Sequence, residues 1–189
     1  MLKIFNELKP FMEDVYREHS VREYAKLVKV SAPTASTILH QFEKEGILTR
    51  RAQGVYIFFR ANRESLLFKD LAAAYWRYAL NIAFKPVHDL FLFKKIILFG
   101  SIAKAENKSD SDIDLFADSQ KKEINLSQIE SKLKRKVQIH FKDALKNTHL
   151  KKSIERGIEI ISKTRLAGTN AEIKSLQRRY PLTKICPFL

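Results

Sequence analysis

Two acids stand two residues apart in Ser111-Asp112-Ile113-Asp114-Leu115, alternating with apolar side chains. On a strand, residues i and i+2 point to one face, so Asp112 and Asp114 project together while Ile113 and Leu115 enter the core. Two carboxylates so placed repel one another unless a cation lies between them, and hard oxygen ligands suit Mg²⁺. Twelve residues before Asp112, the apolar run Ile96-Ile97-Leu98-Phe99 ends at Gly100-Ser101. Glycine lets the backbone approach an anion closely. Backbone N–H groups at the start of a following helix, with the Ser101 hydroxyl, can hold phosphate oxygens. A phosphate cradle and a carboxylate clamp are the parts that phosphoryl or nucleotidyl transfer needs, because Mg²⁺ there offsets developing charge and activates the attacking hydroxyl.

These groups need a buried strand before Gly100, a second strand from Asp112, and a third to complete the sheet. The third is Lys136-Val137-Gln138-Ile139-His140-Phe141. Val137, Ile139 and Phe141 take its core face, so Gln138 and His140 share the other. His140 is able to accept a proton. Asp143 lies beyond the strand and reaches the site only if this register is wrong.

The segment LFGSIAKAENKSDSDIDL resembles the signature of the nucleotidyltransferase superfamily that includes DNA polymerase β, and most closely the minimal nucleotidyltransferases of archaea and bacteria. Phe99, Gly100, Ser101, Ser111, Asp112, Ile113, Asp114 and Leu115 fit that pattern, and the resemblance spans residues 94–162. It implies a small mixed β-sheet with flanking helices that binds Mg²⁺ and ATP or another nucleoside triphosphate. It puts Gly100, Ser101 and Ser111 on the nucleotide and Asp112 and Asp114 on two metal ions. Most active members carry a third acid on the next strand; here Gln138 falls where that acid is expected, which leaves His140 as the candidate catalytic base. Ala105 stands where a glycine is common.

The first sixty residues read differently. Ile4, Phe5, Leu8, Phe11, Met12 and Val15 recur at steps of three and four, which predicts an amphipathic helix over 3–18. Val21–Leu27 reads as a short helix. Ser31 is an N-cap, with Pro33 in the first turn of a helix that runs to Lys44 and stops at Gly46. Ile47–Arg51 and Val55–Arg60 read as a hairpin joined by Ala52-Gln53-Gly54. This order resembles a winged helix-turn-helix domain, whose second helix enters the DNA major groove. Ser31, Thr34, Ser36, Thr37, His40 and Gln41 would face that groove, with Arg50, Arg51 and Gln53 on the wing beside phosphates. No Lys or Arg precedes Lys44 on the helix's outer face, which counts against direct base reading.

The expected class is therefore α+β. A winged helix-turn-helix domain (1–62) leads through a helical linker (63–93) to a nucleotidyltransferase domain (94–162) and a basic C-terminal tail (163–189). The linker is predicted as one long helix, a break at Pro86 and a second short helix. Its Tyr75, Trp76 and Tyr78 are read as core or homodimer contacts rather than a base-stacking platform.

Composition agrees with this division. The 189 residues carry 35 bases and 21 acids, a net charge of +14, which points to a polyanionic partner. By segment the excess is +3, +1, +5 and +5, densest in the tail. Cys186, the sole cysteine, excludes a disulfide framework and a cysteine zinc site within the chain. No apolar run approaches the length of a membrane span and no signal peptide is read at the start, so a cytoplasmic setting is expected.

Two functions follow. One is Mg²⁺-dependent transfer of a nucleoside monophosphate, expected to be AMP, to a hydroxyl on a protein. The resemblance offers a HEPN-type toxin as that partner, since some minimal nucleotidyltransferases are antitoxins that modify such toxins. The alternative is a regulator that binds duplex DNA, with a degenerate transferase domain that only holds a nucleotide or a partner protein. A transferase acting on RNA ranks last, for want of the extra domains that position a tRNA end.

Overall fold

The computed structural model describes residues 2–87 and 93–162. The short helix expected after Pro86 and the basic tail with Cys186 fall largely or wholly outside these residues.

Helix α1, Lys3–Glu13, buries Phe5, Leu8, Phe11 and Met12. It is shorter than the periodicity predicts because Asp14 is extended and its carboxylate accepts the N–H groups of Tyr16 and Arg17, both at 3.1 Å. Such an Asx turn diverts the chain, and Val15 still reaches the core. A two-residue strand, β1 (His19–Ser20), then enters α2, Val21–Val28. Ser20 and Glu23 form a capping box there, a local pattern that satisfies two helix-end donors. Helix α3, Ala32–Lys44, is capped by Ser31, which accepts the Thr34 N–H. Ala35, Leu39 and Phe42 are buried on its inner face.

Strands β2 (Leu48–Gln53) and β3 (Tyr56–Ala61) pair antiparallel, and β1 adds to β3 in the order β1-β3-β2. Gln53 pairs with Tyr56, so the turn is Gly54-Val55 rather than the expected Ala52-Gln53-Gly54. Gly54 has a φ of 59°, a conformation open to glycine in two-residue hairpin loops.

Helix α4, Leu66–Phe84, is capped by Ser65 and ends before Pro86. Tyr75 and Trp76 are buried and Tyr78 is half-buried, so these aromatics are core. The element expected as a linker is thus a central wall. Residues from α1, α3, α4 and the second sheet belong to one continuous apolar core.

The second sheet comprises β4 (Lys95–Phe99), β5 (Ile113–Ala117), β6 (Val137–His140) and β7 (Ile158–Ser162). Its order is β6-β5-β4-β7, with β5 and β7 antiparallel to β4 and β6 parallel to β5. The helices between are α5 (Gly100–Ala103), α6 (Ser127–Leu133) and α7 (Thr148–Glu155). Ile96, Leu98, Ile113 and Leu115 join the main core on the α4 and α6 side. Ile97, Phe99 and Phe116 form a second, small cluster with Ile154 of α7. This is the mixed sheet with helices that the α+β reading expects.

The loop between α5 and β5 is fastened to the end of α1. Asn107, buried, donates from Nδ2 to the carbonyls of Met12 and Glu13, both at 3.0 Å. Its own carbonyl accepts the Val15 N–H at 3.1 Å. Buried Arg135 donates to the carbonyls of Lys108 (2.9 Å), Ser111 (2.6 Å) and Glu13 (2.6 Å).

Candidate active site

The antiparallel register of β4 and β5 sets Phe99 opposite Asp114. Gly100, one residue further, therefore lies against the Asp114 carboxylate. A methyl at Gly100 would overlap Asp114 Oδ2 and come within 3.2 Å of Cγ, and the φ there is 78°. Glycine is required twice over, by space and by backbone conformation. Ser101 follows in the short helix α5, and its carbonyl accepts the Glu106 N–H at 2.8 Å.

The parallel register of β5 and β6 sets Asp114 opposite Gln138 and Phe116 opposite His140. The expected register is the observed one, and Asp143 is exposed in a 3₁₀ turn, Lys142–Lys146, past the strand. Gln138 lies on the carboxylate face, where its Nε2 donates to Asp112 Oδ2 at 2.9 Å. His140 is half-buried with its ring edge-on to Phe99, the centroids 5.3 Å apart.

Asp114 is half-buried. Burial raises its pKa, His140 draws it down, and Asp112 pushes it up again. Among the described residues, no Lys or Arg lies within salt-bridge distance of either carboxylate. A desolvated acid beside a second acid, without a counter-ion, is the donor set a divalent cation neutralises. Among the described residues, no group of three or more His, Cys, Asp or Glu side chains could hold a metal ion. Two carboxylates suit one Mg²⁺ that takes its other ligands from water and phosphate. The second ion implied by the resemblance does not fit, because Gln138 is a neutral amide.

Ser111 has a structural duty: its hydroxyl accepts the Lys108 N–H at 2.9 Å and its carbonyl accepts from Arg135. Ala105 is buried at a φ of 55°, which explains why glycine suits that position. Arg135 and Asn107 escaped the sequence reading. Their partners lie up to 122 residues away, and no local spacing announces a side chain that bonds distant carbonyls.

On α3, Ser31, Thr34, Thr37, His40 and Gln41 are exposed and Ser36 is half-buried. Most are engaged within the helix. The Thr37 hydroxyl bonds the Pro33 carbonyl at 3.1 Å, His40 Nδ1 lies 2.8 Å from the Ser36 carbonyl, and Gln41 donates to Glu45 at 3.1 Å. Arg50 pairs with Glu43 at 3.1 Å, and Arg51 pairs with Glu18 and donates to Gln53 at 3.0 Å. The bond from Arg51 holds the Glu18 carboxyl below its usual range.

Residues 91–166 match the family model described as Polymerase beta, Nucleotidyltransferase. That match supports a nucleotidyltransferase domain over the second sheet, and with it a nucleoside triphosphate as substrate. Searches among curated proteins and among solved structures found no significant match. Among the described residues, no helix is long and apolar enough to cross a membrane.

Proposed function

We propose that the chain transfers a nucleoside monophosphate, most simply AMP, from a triphosphate to a hydroxyl. The observation that carries this reading is Asp114 seated against Gly100, with Asp112 alongside and, among the described residues, no cationic side chain to neutralise either. Gly100 and Ser101 bind the β- and γ-phosphates. Asp112 and Asp114 would hold Mg²⁺, which when bound offsets the charge of the triphosphate. Gln138 fixes the rotamer of Asp112 through its amide. The acceptor oxygen bonds the α-phosphorus, the bond to pyrophosphate breaks, and the hydroxyl proton passes to His140.

The acceptor is a partner protein, with a HEPN-type toxin as the candidate class. The first sheet and helices α1 to α3 form a winged helix-turn-helix unit for duplex DNA, supported by the exposed polar face of α3 and the basic hairpin beside it. Labelled ATP with Mg²⁺ and candidate acceptor proteins tests transfer. Wild type should incorporate label, and Asp112→Asn/Asp114→Asn should lose at least a hundredfold, on the order of what a metal site contributes. Equal labelling by the two forms would sink the proposal.

One observation favours a second reading. The hydrogen bond from Gln138 occupies an Asp112 oxygen in the place where an acid would serve a second metal. On that reading the site only binds nucleotide, and the chain regulates transcription. Mg²⁺–ATP binding that depends on Asp112 and Asp114, without transfer to any acceptor, would select it.

A further inference from the structure

We propose that a cleft between α1, α4 and α6, on the opposite side of the sheet from the carboxylates, is a second site that binds a nucleotide. Its volume is about 510 Å³, within the range of roughly 300–1,000 Å³ typical of small-molecule sites.

The charge of its lining is one-sided. Lys9, Lys132, Lys134 and Arg135 face a single acid, Glu13. Glu13 is already engaged, accepting the Tyr75 hydroxyl at 2.8 Å with Lys9 Nζ at 3.7 Å. Lys132 Nζ donates to the Ile82 carbonyl at 3.0 Å, which leaves its charge uncompensated. Lys134 makes no ion pair among the described residues. Arg135 gives its hydrogen bonds to backbone carbonyls, and among the described residues Glu13, Asp14 and Asp110 attract it without forming an ion pair. Four cations facing one acid give the cleft a net positive charge, which attracts a phosphate.

The remaining wall includes aromatic and aliphatic side chains. Tyr78 is half-buried there, beside Ala79 and Ile82 of α4. A tyrosine face next to aliphatic side chains suits an aromatic base. Phosphate chemistry at one end and a ring at the other describe a nucleoside phosphate. No acid pair lines this cleft, so binding there needs no divalent metal. It also touches the main site mechanically, because Arg135 holds the Ser111 carbonyl next to Asp112.

Trp76, the chain's only tryptophan, lies under Arg135, its ring centroid 5.4 Å from the guanidinium carbon. Its emission reports on the cleft. The full chain, in a chelator without Mg²⁺, is titrated with AMP, adenosine and inorganic phosphate. AMP should change the emission saturably, and more tightly than either fragment. Lys132→Gln/Lys134→Asn should weaken AMP about tenfold or more, while Asp112→Asn/Asp114→Asn leaves it unchanged. Tyr78→Leu, whose fold is checked by circular dichroism, should bring AMP affinity down towards that of phosphate. No saturable AMP binding at millimolar concentration, or loss through the aspartates instead of the lysines, overturns the proposal. Inorganic phosphate binding as tightly as AMP overturns the nucleotide assignment. Transfer at the carboxylates is read separately, with Mg²⁺, so either conclusion can fail alone.

Discussion

On the hairpin and α3, the basic and polar side chains have found partners within the chain: Arg50 on Glu43, Arg51 on Glu18, His40 on the Ser36 carbonyl. On the second sheet, Asp112 and Asp114 have a neutral amide, an imidazole nearby and, among the described residues, no cationic partner. The two wing arginines of the first surface are paired within the chain, whereas the acids of the second are not. An acid kept half-buried against its own ionisation is costly to the fold, and such an arrangement is explained by what it binds. Exposed ion pairs are worth only about 0–1 kcal/mol, so the pairing on the hairpin does not bar a phosphate from taking over an arginine. The contrast ranks the two proposed functions: transfer at the carboxylates rests on the site's own electrostatics, and the proposed DNA binding on the shape of the first unit.

The contrast can be broken most severely at Gly100. Gly100→Ala drives a methyl into Asp114 and demands a positive φ of alanine. It should cost about 1–3 kcal/mol of stability by denaturant unfolding and weaken Mg²⁺–ATP binding roughly a hundredfold by calorimetry. Unchanged nucleotide affinity in a folded variant would show that the carboxylate does not need its seat.

A smaller effect is expected at the hairpin. Glu18→Gln/Glu43→Gln frees Arg51 and Arg50 while keeping the side chains' size. Duplex affinity should rise several-fold, with the salt slope steeper by roughly 0.9 per arginine that gains a phosphate. If affinity and slope stay put, DNA does not meet this face.

The smallest effect distinguishes a binding group from a structural one. The pKa of Asp114 is raised by burial in the folded state, so its ionisation works against folding. The penalty is absent below the unfolded value, near about 3.9, grows as pH rises through it towards the folded value, and is constant above. Asp114→Asn should therefore melt slightly higher than wild type at pH 7, and the gap should close below about pH 4. A variant that melts lower at pH 7 would make Asp114 part of the scaffold.

The site was legible where its chemistry is local. Period-two alternation put Asp112 and Asp114 on one face and Gln138 and His140 on the matching face of β6; the strand register pairs Asp114 with Gln138 and Phe116 with His140, while Asp112 precedes β5 and meets Gln138 through a hydrogen bond. The capping box of Ser20 and Glu23 went unread, although both partners lie within one turn. The end of α1 at Glu13 was signalled only by Asp14, whose turn competes with a hydrophobic period that continues to Val15. Arg135 and Asn107 could not be read, because their meaning lies in carbonyls brought near by the fold. The role of α4 as a shared wall was hidden likewise: a helix apolar on most sides looks the same whether it bridges two units or is buried between them.

The fastening of the 107–111 loop to the end of α1 has a consequence for how the molecule comes apart. Arg135 and Asn107 are stable in the interior only while the carbonyls of Met12 and Glu13 are there to receive them. A chain cut after residue 62 would leave a guanidinium and an amide with too few acceptors, beside the apolar flank that α1 had covered. Melting should accordingly proceed as one transition rather than two. A single transition would mean that the boundary read at residue 62 does not separate two independently stable units.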